Sequence, residues 1–276
     1  MIPAPTAQSS PTRAHPVTPY HKLPKAPLYS GRQQALVEHC RGKRVLHVGC
    51  VDAGYLEERF EAGALLHQQL APVCTELWGL DIDEQGLEFL RKEGFDHLLH
   101  LDVSAPDAVF PDPLPEVDVV LASEVLEHVI NPGLFLRGLR RFMRPGGTQL
   151  ILTVPNAFRV ETLYYMTKGI EFVHPDHKYW FSCVTVRNVL AETGFAVVSL
   201  AAYSFQSTTI VPAKSSTPPG SNGSGPSLAR KLLGVPFRVP ELLKRYTGRL
   251  IVRYLYGKTA FWGDGLIVVA ETAPEK

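Results

Sequence analysis

Carboxylate, hydroxyl and imidazole side chains follow three consecutive apolar runs of the sequence, at the point where each run ends. These positions are Asp81, Asp102, Ser123, Glu124, Glu127 and His128. A carboxylate can accept hydrogen bonds from two neighbouring hydroxyls, such as those of a ribose, because both of its oxygens are acceptors. An imidazole titrates near neutral pH and can therefore remove a proton from a hydroxyl nucleophile. If the three runs are neighbouring strands, the pattern predicts a ribose-containing ligand beside a general base.

A second group of candidate residues lies in the segment GIEFVHPDHKYWFS, which spans residues 169–182. His174 and His177 are alternative bases, and we place His177 with His128 and Glu127 in the predicted catalytic set. Four aromatic side chains near this segment could wall an acceptor pocket, namely Tyr164, Tyr165, Tyr179 and Trp180. The competing interpretation is purely structural: His128 stabilises a helix, and the aromatic rings pack the loop onto the core.

The apolar runs themselves are short and rich in Val, Leu and Ile, which is typical of buried strands. They span residues 44–48, 76–82, 97–103, 117–122, 148–154, 196–202 and 265–271. Capping residues and breakers predict helices from Asp83 to Lys92, from Asn131-Pro132 to near Arg144, and from Ser182 to Thr193-Gly194. This alternation predicts an α/β fold with a parallel sheet and right-handed crossovers.

The turn after the first of these strands reads VLHVGCVDAGYL. Glycine at Gly49 and Gly54 lets the backbone approach a ligand closely, and the start of the following helix offers free N–H groups. The turn therefore predicts a ligand at the first strand–helix connection. Because the GxGxxG spacing is missing, a nicotinamide-dependent dehydrogenase is disfavoured.

Taken together, these motifs resemble those of the class I S-adenosylmethionine-dependent methyltransferases. The similarity covers about residues 41–202 and the final strand, and its most specific part is EVLEH…NP…L…RPGG…PN. The bacterial small-molecule and glycan methyltransferases, including the ubiquinone-biosynthesis O-methyltransferase type, are the most similar group. The resemblance implies a Rossmann-like, doubly wound sheet of seven strands with an antiparallel last strand, and S-adenosyl-L-methionine as cofactor.

The resemblance also implies which residues bind the cofactor. Those facing its methionine part would be Gly49, Cys50 and Gly54. Those holding its ribose and adenine would be Asp81, Ile82, Asp102 and Val103, with Asp81 on the ribose and Asp102 on the adenine amino group. Those near its sulfonium would be Ser123 and Glu124.

Two positions depart from the family pattern. The residue two before Gly49 is usually acidic and here is His47, and Val51-Asp52-Ala53 stands where a second glycine is common. Asp52 is expected to replace part of the lost polarity. The His47 departure supports one alternative function, a non-catalytic binding protein that kept the fold and lost its affinity for the cofactor.

A metal site is a second alternative at the ExxEH sequence. Glu124, Glu127, His128 and a downstream histidine such as His177 could bind a divalent cation through mixed oxygen and nitrogen ligands. The phrase DHKYWFS is similar to a segment of RNA 3′-terminal 2′-O-methyltransferases that use such a set, which makes a metal-assisted RNA 2′-O-methyltransferase the alternative function. Against it, Glu127 and His128 are expected to be adjacent on a helix, where their side chains diverge by about 100°. The predicted site therefore contains no metal.

Charge is unevenly distributed along the chain, although 28 Lys and Arg nearly balance 27 Asp and Glu. Residues 1–36 carry a net charge of +4, residues 37–211 carry −9 and residues 212–263 carry +8. An acidic body is a poor surface for phosphates, so nucleic acid is not an expected partner. The expected acceptor is instead a hydroxyl of a small molecule, a glycan or a lipid-linked sugar.

We predict one methyltransferase domain over residues 31–276, preceded by a Pro-rich, disordered arm over residues 1–30. A flexible loop at 212–227 and a basic helical insertion at 228–257 would interrupt the domain.

Within the insertion, residues 240–256 combine an apolar stripe with a ridge of Arg245, Arg249 and Arg253. Such a helix could lie on an anionic membrane surface, where lipid-linked acceptors reside. The four cysteines show no CxxC spacing, and no apolar stretch is long enough to span a bilayer. These features predict a cytoplasmic protein with peripheral membrane contact.

Overall fold

The computed structural model describes residues 21–204 and 259–274. Within these ranges eight strands form one sheet. The strands are β1 (Leu28–Tyr29), β2 (Arg44–Val48), β3 (Glu76–Asp81), β4 (Leu98–His100), β5 (Val119–Ser123), β6 (Gln149–Pro155), β7 (Phe195–Tyr203) and β8 (Gly265–Thr272). The seven strands predicted from the apolar runs are confirmed as β2 to β8.

The strand order across the sheet is β1-β7-β8-β6-β5-β2-β3-β4. β8 pairs antiparallel with β6 and β7, and all other neighbouring strands are parallel. The predicted doubly wound, Rossmann-like sheet with an antiparallel last strand is therefore confirmed. From β2 the chain builds the sheet outward to β4, and from β5 it builds in the opposite direction. This reversal opens a crevice at the carboxyl ends of β2 and β5.

The sheet has one strand more than predicted. Leu28 and Tyr29 pair in parallel with Ala202 and Tyr203, inside the segment expected to be a disordered arm. A two-residue strand has no periodic pattern in the sequence, and only the otherwise free edge of β7 creates its pairing partner. The arm up to residue 20, the loop at 212–227 and the insertion at 228–257 lie outside the described residues, so these assignments stay predictions.

The α-helices of the described residues are α1 (Arg32–Cys40), α2 (Leu56–Glu61), α3 (Leu66–Leu70), α4 (Glu84–Lys92), α5 (Pro132–Arg140), α6 (Val160–Met166) and α7 (Cys183–Glu192). The predicted helices are confirmed as α4, α5 and α7. Each is preceded by a side chain that accepts hydrogen bonds from its free N–H groups, namely Asp83, Asn131 and Ser182. α5 ends at Arg140 rather than near Arg144, because the Phe142 and Met143 N–H groups bond to carbonyls three residues earlier and form a tighter turn.

The hydrophobic core lies on both faces of the sheet. Neighbouring residues of β2 point to opposite faces: Leu46 packs in the cluster that contains α5 and α7, and Val45 packs in the cluster that contains α1 and α3. Helices thus cover both faces, and the sheet is the middle of three layers. Within the described residues, the ends of the strands are therefore the parts of the sheet that can receive a ligand.

Among the described residues no helix is both long and apolar enough to cross a bilayer. The expected peripheral membrane contact through 240–256 lies outside the described residues and stays a prediction.

Candidate active site

The predicted site residues gather at one edge of the sheet. β2, β3, β5 and β6 run in the same direction, so their carboxyl ends share this edge. The turn after β2 meets the turn after β5 there, since a Cβ on Gly49 would lie 2.5 Å from Cγ2 of Val125. The two turns therefore border one crevice at the switch point of the sheet.

The turn after β2 has a backbone that few side chains tolerate. Gly49 has a φ of +74° and Gly54 a φ of +86°, both in the left-handed region. Asp52 also lies in this region, with a φ of +58°, which aspartate tolerates better than most residues. It forms an ion pair with Arg59. Asp52 thus adopts a conformation that a second glycine would supply, so this departure from the family pattern preserves the turn.

Cys50 contributes its backbone rather than its side chain to this turn. Its side chain is fully buried and packs in a cluster with Leu65 and Leu87. Burial raises the pKa of its thiol well above the ordinary range, so the thiol stays neutral. Its predicted contact with the cofactor would therefore be made by main-chain atoms.

The Asp81 carboxylate is held at the end of β3 by three backbone N–H groups. Its Oδ2 accepts from Val51 at 2.9 Å, and its Oδ1 accepts from Ile82 at 2.8 Å and from Asp83 at 3.1 Å. Burial raises the pKa of Asp81, and the three hydrogen bonds oppose that rise. The neighbouring Ile82 side chain is 68% exposed. The carboxylate is thus oriented beside an open apolar surface.

Asp102 is exposed at the same edge, just after β4. Its Oδ1 accepts hydrogen bonds from the backbone N–H of Ser104 at 2.9 Å and from the Ser104 hydroxyl at 2.6 Å. Val103 is buried, and its carbonyl oxygen lies directly against Gly138 of α5. α5 therefore positions the loop that carries Asp102.

Thr153 of β6 holds Ser123 and Glu124 at the end of β5. The Ser123 Oγ lies 3.1 Å from the Thr153 Oγ1, and the Glu124 N–H donates to the Thr153 carbonyl oxygen at 3.1 Å. The φ of Glu124 is +56°, and this turns the chain out of the strand. One Glu124 carboxylate oxygen lies 3.4 Å from Arg32, and the buried Tyr203 hydroxyl also interacts with this carboxylate. The Glu124 carboxylate is therefore held between two side chains from other elements of the fold.

Glu127 is fully buried, and neither carboxyl oxygen has a hydrogen-bond partner among the described residues. Burial, followed by the charge of Glu124, raises its pKa to about 9. The carboxyl group is therefore protonated at neutral pH and cannot take up a further proton as a base. The expected helix over EVLEH is wrong, because residues 126–128 form a turn beyond the left-handed Glu124. The catalytic assignment of Glu127 stays a prediction.

His128 lies in a cluster with two histidines of the 169–182 segment. Its ring centroid is 4.7 Å from that of His177 and 5.7 Å from that of His174, and the latter two are 5.2 Å apart. The His128 Nδ1 lies 2.9 Å from a carboxylate oxygen of Asp176. Burial, and after it the charges of His128 and His174, lowers the pKa of His177 to about 4. Tertiary structure thus brings together the predicted catalytic residues His128 and His177.

Two hydrogen bonds fasten this histidine loop to the turn after β5. The Lys178 N–H donates to the Glu127 carbonyl at 2.8 Å, and the Tyr179 hydroxyl donates to the Ile130 carbonyl at 2.8 Å. Of the predicted aromatic residues, Trp180 also reaches the cluster, with its ring 6.2 Å from that of His177. The loop is therefore anchored at the sheet edge.

His47 occupies the interior of the fold rather than the ligand crevice. It is 2% exposed, and its Nδ1 lies 3.2 Å from the Nδ1 of the buried His67. Burial lowers the pKa of His47 well below its ordinary range and the pKa of His67 to about 4. Two neutral rings can share one N–H between these nitrogens. The histidine that replaces the usual acidic residue at position 47 is thus a core residue whose Nδ1 is hydrogen-bonded to His67.

This pair predicts a loss of stability in mild acid. Because burial holds both pKa values below those of the unfolded chain, the unfolded state binds more protons below about pH 6.5, and stability falls as pH falls. With a folded-state pKa of about 4 for His67, lowering the pH from about 7 to about 5 should cost on the order of 2 kcal/mol from this residue. Urea unfolding at the two pH values measures it. His67→Gln keeps a partner for His47 and should reduce the difference; an unchanged pH dependence in that variant would contradict the assignment.

The sequence matches the profile of a family described as Methyltransferase domain over residues 21–200, more than half of the chain. The chain belongs to this methyltransferase family. Membership confirms the predicted class of S-adenosylmethionine-dependent methyltransferases, with S-adenosyl-L-methionine as the cofactor.

Among the relatives of this methyltransferase are ubiquinone biosynthesis O-methyltransferases. The protein from Bordetella bronchiseptica is 29% identical over 149 residues, which are 53% of this chain and 56% of that protein. The protein from Thiobacillus denitrificans is 33% identical over 109 residues, which are 38% of this chain and 42% of that protein. The chain thus spans about half the length of the curated relatives it matches. Of the solved structures, a SAM dependent methyltransferase from Archaeoglobus fulgidus has a TM-score of 0.46 at 18% identity, covering 88% of this chain and 96% of that one.

The groups at the sheet edge fit the cofactor of this methyltransferase. The oriented Asp81 carboxylate would hold the ribose hydroxyls, and the exposed Ile82 side chain would flank the adenine. The negative charge of Glu124 would suit the cationic end. When bound, S-adenosylmethionine supplies an electrophilic methyl group on a sulfonium. These individual roles stay predictions.

Three residues of the site were not found from the sequence, namely Arg32, Thr153 and Asp176. Arg32 and Thr153 lie on elements distant in sequence from Glu124, so no spacing signals their contact with it. Asp176 lies between His174 and His177 in the sequence, but its pairing with His128 depends on how the 169–182 segment folds back onto the turn after β5.

Asp81→Ala should weaken binding of S-adenosylhomocysteine by about 10²-fold. Two hydrogen bonds to a charged group are each worth roughly 1.5–3 kcal/mol, and their loss sets this scale. Calorimetric titration of the full chain measures the affinity. Asp96→Ala, at an exposed aspartate before β4, is the control and should bind normally. An unchanged affinity in Asp81→Ala would remove Asp81 from the cofactor site.

Proposed function

We propose that this chain transfers a methyl group from S-adenosylmethionine to a hydroxyl of a small-molecule acceptor, such as a sugar of a glycan or of a lipid-linked precursor. The observation that carries the proposal is the His128–Asp176 pair at the sheet edge. With its Nδ1 tied to a carboxylate, the imidazole presents Nε2 as the atom that takes the hydroxyl proton. The relatives named ubiquinone biosynthesis O-methyltransferases support oxygen as the accepting atom.

The contribution of the protein is mainly alignment. Methyl transfer from a sulfonium requires nucleophile, carbon and sulfur to lie in line, with water excluded. Ser123 and Glu124 stand at the start of the turn after β5, and His128 stands at its end. One short segment, fixed by Thr153 at one side and by the histidine loop at the other, would therefore place both the methyl group and the base.

Charge favours a small acceptor over RNA. Residues 37–211, which include this edge, carry a net charge of −9. An RNA backbone brought to this body would meet like charge, and its binding would lack the counterion release that drives nucleic-acid association.

The test is a methylation assay with isotopically labelled S-adenosylmethionine and the full chain. The acceptor panel contains phenolic quinone precursors, free and lipid-linked sugars, and short RNAs with a free 3′ end. We expect a methyl ether on a small-molecule hydroxyl, identified by mass spectrometry, and Asp96→Ala should match the unaltered chain. Transfer to RNA alone, or to nitrogen alone, would overturn the proposal. Absence of cofactor binding in calorimetry would instead support the non-catalytic alternative.

A further inference from the structure

We infer that His128, His174 and His177 form a binding site for a divalent transition-metal ion. One ligand atom from each histidine can be chosen such that all three lie within 4.8 Å of one another. In the part of the chain that the structure describes, this is the one group of three or more histidine, cysteine or acidic side chains close enough together to share a metal ion. The inference concerns ion binding and does not rest on the proposed reaction.

The spacing of the three rings matches the spacing that a shared ion imposes. Zn²⁺ binds imidazole nitrogen at about 2.0–2.1 Å and prefers a tetrahedral arrangement. The centre of each imidazole ring lies about 1 Å beyond its ligating nitrogen. Two ring centres around one tetrahedral ion are therefore about 5 Å apart. The observed centroid separations are 4.7, 5.2 and 5.7 Å. Small ring rotations are therefore enough to converge the nitrogens on one point.

Asp176 gives His128 the orientation of a metal ligand. A ligating histidine usually donates its other ring N–H to a carboxylate or carbonyl, which fixes both its tautomer and its direction. The 2.9 Å contact between His128 Nδ1 and Asp176 supplies this arrangement and leaves Nε2 free. Lys178 holds the other carboxylate oxygen at 3.0 Å, so Asp176 is itself fixed.

The other two histidines add one unsatisfied and one adjustable ligand. The Nδ1 of His177 is buried and has no hydrogen-bond partner among the described residues, so this ring has unused bonding capacity inside the cluster. His174 is exposed, and its Nδ1 accepts a 3.2 Å hydrogen bond from the Asp176 N–H. A metal bond can replace this long contact when the ring turns. The exposed side of His174 also gives an ion access from solvent.

The donor set selects the class of ion. Three neutral imidazoles suit Zn²⁺, Co²⁺, Ni²⁺ or Cu²⁺, whereas Mg²⁺ and Ca²⁺ require mainly oxygen ligands. Three protein ligands leave a fourth position for water or a hydroxyl, as in catalytic zinc sites. Glu124 and Glu127, which the sequence suggested as ligands, are not part of this set. Glu124 pairs with Arg32, and Glu127 is a buried, protonated acid.

Metal binding and proton acceptance compete for one atom of His128. An imidazole that ligates an ion through Nε2 cannot accept a proton there. In the ion-bound protein, a hydroxyl at the open position would lose its proton more readily because the metal lowers its pKa. Binding is therefore measured without cofactor or acceptor, so that its result is independent of the methylation assay.

The test is a titration of Co²⁺ into the chelator-treated full chain, followed by its visible absorption and then by displacement with Zn²⁺. We expect one ion per chain with the spectrum of four-coordinate cobalt. His177→Ala and His174→Ala should abolish this spectrum. Asp176→Asn should weaken affinity by about 10–100-fold while leaving the spectrum in place, since it removes the support of a ligand rather than a ligand.

His97→Ala is the matched control, because His97 is exposed and stacks on Trp78 outside the cluster. It should bind Co²⁺ normally. Circular dichroism of the chelator-treated variants establishes that each is folded. If a histidine substitution impairs folding, Asp176→Asn still tests the inference, because Asp176 is exposed and its replacement should not disturb the fold. The inference would be overturned if the titration showed no binding of one Co²⁺ per chain. It would also be overturned if each of the single variants His174→Ala and His177→Ala still bound Co²⁺ with the original spectrum.

Discussion

Replacing His128 with alanine is expected to lower kcat for methyl transfer by about 10²–10⁴-fold, the usual contribution of a positioned general base. The ring is oriented by Asp176 at 2.9 Å and lies beside the rings of His177 and His174. His177 is the nearest candidate to replace it, but its pKa of about 4 makes it a weak base. The rate is measured with saturating S-adenosylmethionine in the presence of a chelator, so that a bound ion makes no contribution.

The control measurements separate loss of the base from loss of the site. His128→Ala should leave the affinity for S-adenosylhomocysteine unchanged, because the predicted cofactor contacts lie on other residues. Asp176→Asn keeps the imidazole and should lower kcat by a smaller factor, while His97→Ala should have no effect. A His128→Ala enzyme that retains its full rate under these conditions would show that acceptor deprotonation needs no base at this position.

Gly138→Ala is expected to destabilise the fold by about 3 kcal/mol and to weaken cofactor binding. A Cβ at position 138 would lie 2.0 Å from the carbonyl oxygen of Val103 and 2.8 Å from its carbonyl carbon. Backbone atoms cannot move aside as a flexible side chain does, so α5 or the 102–103 loop must shift. Overpacking of this kind typically costs about 1–3 kcal/mol, and this contact belongs at the upper end. The shift would also displace Asp102, which the cofactor is predicted to need.

Gly133→Ala on the same helix is the matched control. There the added Cβ would meet only the Asn131 Oδ1 at 3.3 Å and a methyl group of Thr193 at 3.9 Å. Alanine is favoured over glycine in a helix by about 1 kcal/mol, which offsets the small shift required of the Asn131 cap, so this variant should be close to the parent in stability. Chemical unfolding and calorimetry with S-adenosylhomocysteine measure both effects. Equal stability of the two variants would mean that α5 does not press on the loop that carries Asp102.

Much of the fold could be predicted because its signals are local. Buried strands of a parallel sheet are continuous apolar runs, and each confirmed helix begins at a side chain that can cap it, such as Asp83 or Ser182. The grouping of Asp81, Asp102 and Ser123 at one edge follows from the parallel order of the strands. These features depend on the types of neighbouring residues, which the sequence displays directly.

The details that decide the chemistry depend on contacts between residues far apart in sequence. Burial and the charge of Glu124 raise the pKa of Glu127 to about 9, so this member of the predicted catalytic set is a neutral acid. The pairing of His47 with His67 turns a departure from the family pattern into a satisfied core contact.

By itself, the sequence determined the strands, the capped helices and the family, because each depends on local periodicity and on short motifs. Only the tertiary structure decided which histidines meet, that Asp176 orients His128, and that Leu28–Tyr29 joins the sheet. The physical reason is that such contacts form when loops close over long stretches of chain, and their geometry depends on the whole packed core rather than on any one segment.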